Sequence, residues 1–552
     1  MLSYVRSVHR PLMPLIIAAI CMGCAGEGEQ AMSVVDDLAV RVSEYASTDI
    51  VADVSHLPPG ERAALDELVK AAEIMHEIFL VQAWPDRDGI STAIDAYDGA
   101  EADALRTYVA INAGPWDRRH HYEPFCGDWI HPDGANFYPT DLTELEKTAL
   151  EEGIEGADGL FSMVRRDDAG ALQVIPYSEF FADDLGRAAA HLRKAAELTE
   201  NASLRAFLNS RADAFLSDDY YQSDMLWMDL DSPVEITIGP YETYEDGLFG
   251  YKASFEAFVT VTDPGASAQL AAFKGELPAL EANLPIPDEF KNPNRGSDSP
   301  IRVVDEVFTA GDTRSGIQTI AFNLPNDERV REAKGSKKVL LRNIMNAKFE
   351  QILTPIADVL VVPDQLGSLA ADSFFMHTLW HEMSHGLGPG RITLDGRETE
   401  VRLELKETYS TIEEAKADAM GPWCIFRMVD KGHFPPEMVE EQAVTYLAGL
   451  FRSVRFGIGE AHGQANAIQF NYLLEKGVIT AEEGRFRIDV EAFPAAIEQM
   501  VHDILMIEAH GDYTASVAMI EQYGGMPQVL ADGLARLDGV PVDILPKYAF
   551  GS

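Results

Sequence analysis

Apolar residues recur at helical spacing through residues 36–110, with a break at Pro58-Pro59-Gly60 and one long amphipathic stretch over residues 64–83. Gly, Pro and aromatic residues then crowd together over residues 112–139, which predicts an ordered but irregular region. Thr140-Asp141-Leu142-Thr143-Glu144 carries the capping chemistry of a helix start, and helical spacing returns at roughly 183–200 and 203–216. From residue 234 the period changes. Residues 234–238, 254–262, 301–307 and 317–322 place β-branched and aromatic residues in near alternation, which predicts a small mixed sheet or barrel. Gly, Pro and Asn between residues 284 and 299 mark a loop or a crossing between lobes. From about residue 346 to the end the pattern is helical again, so the fold class is α+β.

The first residues stand apart from that pattern. Arg6, His9 and Arg10 precede an apolar stretch over residues 12–22, too short to span a membrane as a mature helix. Cys21-Met22-Gly23-Cys24 is similar to the lipobox of bacterial lipoproteins, although Cys21 stands where Leu is usual. The expectation is a signal peptide over 1–23, a linker over 24–35, and export to the periplasm or cell envelope with Cys24 as a lipid anchor. A simple cleaved signal is the alternative. Cys126 and Cys424 then remain as candidates for one disulfide or as small buried hydrophobes.

Composition narrows the partners. The 552 residues are 46% hydrophobic and 24% charged, ordinary for a folded chain long enough for two or three domains or one large two-lobed unit. Acidic residues number 90 against 44 basic ones, a formal charge of −46. Such a surface repels phosphate backbones and anionic lipids, so nucleic acid is excluded as the expected partner.

The sharpest chemical signal is His381-Glu382-Met383-Ser384-His385. Its helix should begin near Asp372 or Ser373 and stop at Gly386, Gly388 and Pro389. Histidines four apart lie one above the other on a helix, so both imidazoles can reach one Zn²⁺, with Glu382 beside its open position as a base. A third ligand is found in Glu413-Glu414-Ala415-Lys416-Ala417-Asp418. Glu414 is assigned as ligand, and Asp418, one turn on, as the carboxylate that orients a ligand imidazole. Ser410 with Glu413, or Thr411 with Glu414, also fits a capping box; Ser410 and Glu413 are taken as the box. His377 extends the same helix face, but three histidines on one helix converge poorly on one ion, so it is read as a second-layer or cleft residue.

At this point the chain resembles the dipeptidyl peptidase III family of zinc metallopeptidases, most closely the variant fused to Nudix domains in plants and standing alone in bacteria. The likeness includes Gly134-Ala135-Asn136-Phe137-Tyr138-Pro139, Trp227-Met228-Asp229-Leu230-Asp231, Gly239-Pro240-Tyr241-Glu242-Thr243-Tyr244-Glu245-Asp246, Asn323-Leu324-Pro325-Asn326, the zinc motif with its second helix, and Glu460-Ala461-His462-Gly463-Gln464. No Nudix box is seen, so pyrophosphatase activity is not implied. The resemblance implies two lobes about a wide cleft: residues 36–345 mainly a substrate lobe with a small β-barrel plus helices, in which 258–300 cross over, and 346–552 mainly a helical zinc lobe. It implies His381, His385 and Glu414 as zinc ligands, Glu382 as base and His462 as an aid to the transition state. Glu235 would hold a peptide's amino terminus, and Asn323 and Asn326 its backbone.

There are departures from the family pattern. The best-known members have one more residue between the motif's histidines, and the tyrosine two residues after the amine-binding carboxylate is Thr237 here, which leaves Tyr241 or Tyr244 as replacements. Near the C-terminus only Lys547 remains as a basic residue for a substrate carboxylate. The expected function is a zinc exopeptidase releasing dipeptides from short peptides. The competitors are a zinc aminopeptidase or endopeptidase of different register and a non-enzymatic peptide-binding lipoprotein.

Overall fold

The structure is a computed structural model that describes residues 32–292 and 300–550. The expected signal peptide over 1–23, most of the expected linker and Cys24 lie outside the described residues. Among the described residues no helix is long and apolar enough to cross a membrane.

Strand β1 (Tyr45–Ile50) leads into the long helix α1 (Pro59–Ala83). Pro59 opens α1 at the one position where a missing N–H costs nothing. Leu65, Leu68, Ala72, Met75, Ile78 and Phe79 recur every three or four residues and are all buried, facing α2 (Ala182–Leu198) and the central sheet. Between them, the capping chemistry expected after Pro139 is a capping box. Thr143 Oγ1 accepts from the Glu146 N–H at 3.3 Å, and Glu146 Oε2 accepts from the Thr143 N–H at 2.9 Å.

A short helix α3 (Tyr221–Met228) precedes the sheet, whose strands are β2 (Val234–Glu242), β3 (Ser254–Thr262), β4 (Ile301–Gly311), β5 (Ala321–Leu324) and β6 (Lys337–Leu341). The hydrogen-bonded order is β2-β3-β4-β6-β5, antiparallel except for the parallel β4/β6 pair. The sheet curls until Phe258 and Phe322 stack at 4.2 Å and Asn326 Nδ2 donates to Tyr241 O at 3.1 Å. The ladder does not close. The expected barrel is therefore an open, curled sheet, because β5 is only four residues long and runs into Pro325, which has no N–H to offer β2. The expected strand over 317–322 begins only at Ala321, and β6 was not anticipated.

Helix α4 (Pro264–Ala282) joins β3 to β4 and packs on the C-terminal helices: Phe273 lies 5.2 Å from Trp380 and 5.3 Å from Phe434, and Glu281 Oε2 accepts from the Gly388 N–H at 2.9 Å. Those helices are α5 (Arg342–Lys348), which continues directly from β6, α6 (Ala371–Ser384), α7 (Tyr409–Asp430), α8 (Met438–Val454), α9 (Ala461–Glu475) and α10 (Phe493–His510). Helix α7 is central, packing on α6, α9 and α10. Cys424 lies in the main apolar core, its Sγ 3.8 Å from Ser384 Oγ, and Cys126 in a separate smaller core around Phe79, Trp84 and Tyr108. No bridge joins them.

The last described strand, β7 (Asp543–Tyr548), pairs in parallel with β1. Its anchor is a fully buried ion pair, Lys348 Nζ to Asp543 Oδ1 at 2.8 Å. Removing one partner strands the other charge in the core. Lys348→Met is expected to lower unfolding stability by roughly 3–5 kcal/mol at neutral pH, measured by urea denaturation.

Candidate metal centre

Two helices build the centre. Helix α6 is held by Phe375, Leu379 and Trp380 in the core, which turns His381 and His385 toward α7. Small residues let α7 come close: Ala415 and Ala419 are fully buried, and a Cβ on Gly421 would meet the His377 ring at 2.8 Å.

His381 Nδ1 lies 2.7 Å from Asp418 Oδ1, and His385 Nδ1 lies 2.8 Å from Glu413 Oε1. A carboxylate beside each Nδ1 draws the ring proton to that side and leaves Nε2 with its lone pair inward. The two Nε2 atoms face each other at 3.2 Å, with Glu414 Oε2 at 3.4 Å from one and 4.0 Å from the other. Glu414 Oε2 is buried and makes no hydrogen bond. Three inward acceptors are satisfied together by a metal ion, or in part by one proton, and donors about 2.0–2.1 Å from a tetrahedral ion would lie about 3.3 Å apart. His381, His385 and Glu414 thus fit a metal ion.

The outer ring explains why the donors stay in place. Asp418 Oδ2 accepts from Asn466 Nδ2 at 3.0 Å and Gln469 Nε2 at 3.1 Å, which ties it to α9. Burial disfavours its charge, but the His381 and His377 rings beside it hold the carboxyl well below its ordinary value. Glu413 is likewise held down against burial by Lys416 and His385. Burial alone would strip a proton from His381, yet Asp418 and Glu414 raise it to about 10. The pocket demands positive charge, as a proton or as a metal.

Glu413 corrects one expectation. Helix α7 starts at Tyr409, before Ser410, and Thr408 at its cap makes no side-chain cap bond. Thr411 Oγ1 donates instead to Gln464. Neither capping box forms, and Glu413 is free to orient His385. Two carboxylates side by side were the only signal in the chain for this role. His377 stays outside the donor group, 3.7 Å from Asp418 Oδ1.

Glu382 does not touch the donors. Burial would raise its pKa, but the Lys338 ammonium and His381 bring it below its ordinary value, and Lys338 Nζ donates to Glu382 Oε2 at 2.7 Å. His462, at the start of α9, puts Nδ1 3.2 Å from Glu414 Oε2 with most of its ring exposed. Asn323 and Asn326 are exposed on and just after β5, the outer strand of the sheet.

Glu235 is a different case. It is 1% exposed inside the curl, with Oε1 2.9 Å from Lys337 Nζ and Oε2 3.7 Å from Arg302 Nε. Two cations of the protein already face it. Of the residues considered as replacements for the missing tyrosine, Tyr241 donates to Ile238 O in the core and Tyr244 is 83% exposed. Thr237 itself is buried, and Lys547 lies exposed on the terminal strand opposite Asp49.

Three converging donors with an acid beside them define a metal-dependent hydrolase. The profile of Peptidase family M49 matches residues 167–420. A solved DPP III from Caldithrix abyssi is 48% identical, covering 92% of this chain and 98% of that one with a TM-score of 0.88. A dipeptidyl-peptidase III from Corallococcus sp. strain EGB is 40% identical over 94% and 98%, with a TM-score of 0.76. A protein of Arabidopsis thaliana named Nudix hydrolase 3 is 39% identical over 93% of this chain and 74% of its own length. The chain belongs to peptidase family M49, and it has that family's two-lobed fold.

Two outcomes follow from the outer ring. Asp418→Ala and Glu413→Ala should each weaken metal binding about 10- to 100-fold, measured by competition with a chelating dye. Because Asp418 and Glu414 raise the proton affinity of His381 in the metal-free chain, metal binding competes with a proton there. Affinity should therefore rise with pH, and calorimetry in buffers of different ionisation enthalpy should detect a released proton.

Proposed function

We propose that this peptidase is a zinc enzyme that removes dipeptides from the free amino end of short peptides. The observation that carries the reading is the inward-facing trio of His381, His385 and Glu414 beside Glu382. Two imidazoles and one carboxylate are the donor set of catalytic zinc sites. When bound, zinc supplies a Lewis acid that polarises a carbonyl and makes water more acidic.

The chain's own residues do the rest. Glu382 accepts a proton from the attacking water and returns it to the leaving amine. His462 offers an exposed imidazole beside Glu414, whose carboxylate raises its proton affinity, so that it can stabilise charge developing on the carbonyl oxygen. An extended peptide can add to the outer strand β5, where Asn323 and Asn326 present amide donors and acceptors. Glu235 could hold the ammonium only where Lys337 gives way, so the amine clamp is the part of the family pattern that this geometry supports least. The leader sequence supports export and anchoring at Cys24, which Cys24→Ala tests by moving the protein from the membrane fraction to the soluble one.

Incubation with a free pentapeptide and its N-acetylated form, with product masses, tests the register. Dipeptides from the free peptide alone are expected; single residues or internal cuts would overturn it. Glu382→Gln should keep one metal per chain and lower kcat by about 10²–10⁴-fold or more.

A further inference from the structure

We infer that Lys338 is a positioning residue for Glu382, and that it ties the alignment of the base to the strand on which a peptide docks. Lys338 lies on β6 in the sheet, whereas Glu382 lies on α6 in the helical lobe. Its Nζ makes two contacts with the same residue, donating to Glu382 Oε2 at 2.7 Å and to the Glu382 main-chain oxygen at 2.8 Å. Only 13% of the lysine side chain and 22% of the glutamate side chain are exposed, so solvent screens this pair far less than a surface ion pair.

The double contact does two things. A carboxylate on a helix turns freely about its side-chain bonds; one bond to the carboxylate and one to the backbone of the same residue remove that freedom. Oε2 is then engaged, while Oε1 makes no hydrogen bond to any described residue and is left to take a proton. A base must lie within about 2.6–3.2 Å of the proton it removes, and a misplacement of about 1 Å costs about 10²-fold in rate.

Lys338 also stands opposite Asn323 in the antiparallel β5/β6 ladder, so the two side chains share one face of the sheet. A peptide added to β5 therefore bears on the neighbour of the strand that holds the base. Docking and alignment are coupled through one ladder rung. The sequence alone hides this, because Lys338 is 44 residues from Glu382 and β6 opens with two lysines.

This inference rests on the peptidase reading, and one set of variants separates the two. In the metal-loaded enzyme, Lys338→Met should lower kcat about 10- to 100-fold with KM little changed and metal content intact, while Lys338→Arg recovers most of the rate. In a Glu382→Gln background, adding Lys338→Met should cost nothing more, since the group it positions is gone. In the metal-free chain, the two changes should lower the melting temperature by less together than the sum of their separate effects. Wild-type kcat in Lys338→Met, a rise confined to KM, loss of metal, or rate losses that multiply in the double variant would overturn the inference. Activity that survives chelation in the wild-type enzyme would instead overturn the peptidase reading itself.

Discussion

Two imidazole nitrogens and one carboxylate oxygen converge on one point, and the helical lobe is arranged to keep them so. With neither a metal nor a proton between them, lone pairs at 3.2–4.0 Å repel, and a chain free to relax would turn the rings away. It cannot, because each ring is held from behind by a carboxylate and α6 and α7 are packed through alanine and glycine. The arrangement stores unmet demand for a cation, a form of preorganisation that lets a metal site bind tightly without large rearrangement.

The same constraint explains the surroundings. Asn466 and Gln469 of α9 occupy the second oxygen of Asp418, so the helix that carries His462 is also the helix that locks His381. Gly463 permits this: a Cβ there would meet Gly457 O at 2.0 Å, so only glycine lets the preceding loop close over the first turn of α9. Ligand orientation and placement of His462 are thereby one structural decision. From the other side, β6 reaches Glu382 through Lys338 and continues straight into α5, so sheet and helical lobe meet at the base.

Much of this was legible in the sequence, and the failures have physical causes. Period and the glycines after His385 located α6 within a residue or two, although it starts at Ala371, before Asp372 and Ser373, with no side-chain cap. The same S/T-x-x-E pattern, however, gave a true capping box at Thr143 and none at Ser410. The difference lies upstream: Thr408 is buried against Ser516, its hydroxyl bonds Leu405 O, and the helix begins before the serine. That is a tertiary contact 108 residues long, invisible to a four-residue pattern. Closure of the sheet was likewise unreadable, since alternation shows that strands exist and says nothing of which edges meet. Glu235 matched by position, yet its Lys337 and Arg302 partners come from two other strands.

The charges around the centre bring these points together. Asp418, Glu413, Glu414 and Glu382 carry four negative charges, against which Lys416 and Lys338 supply two positive ones. Glu508, packed beside Lys416, is pushed by burial far above the ordinary carboxylate value. Carboxylates thus outnumber ammonium groups at the centre, a balance that favours a cation. In low-dielectric surroundings uncompensated charge is expensive, so such a site favours a cation, and a proton on His381 is a partial substitute. The chain's overall charge of −46 is spread over its surface, where salt screens it, whereas the carboxylates at the centre are largely shielded and act on a bound cation at short range.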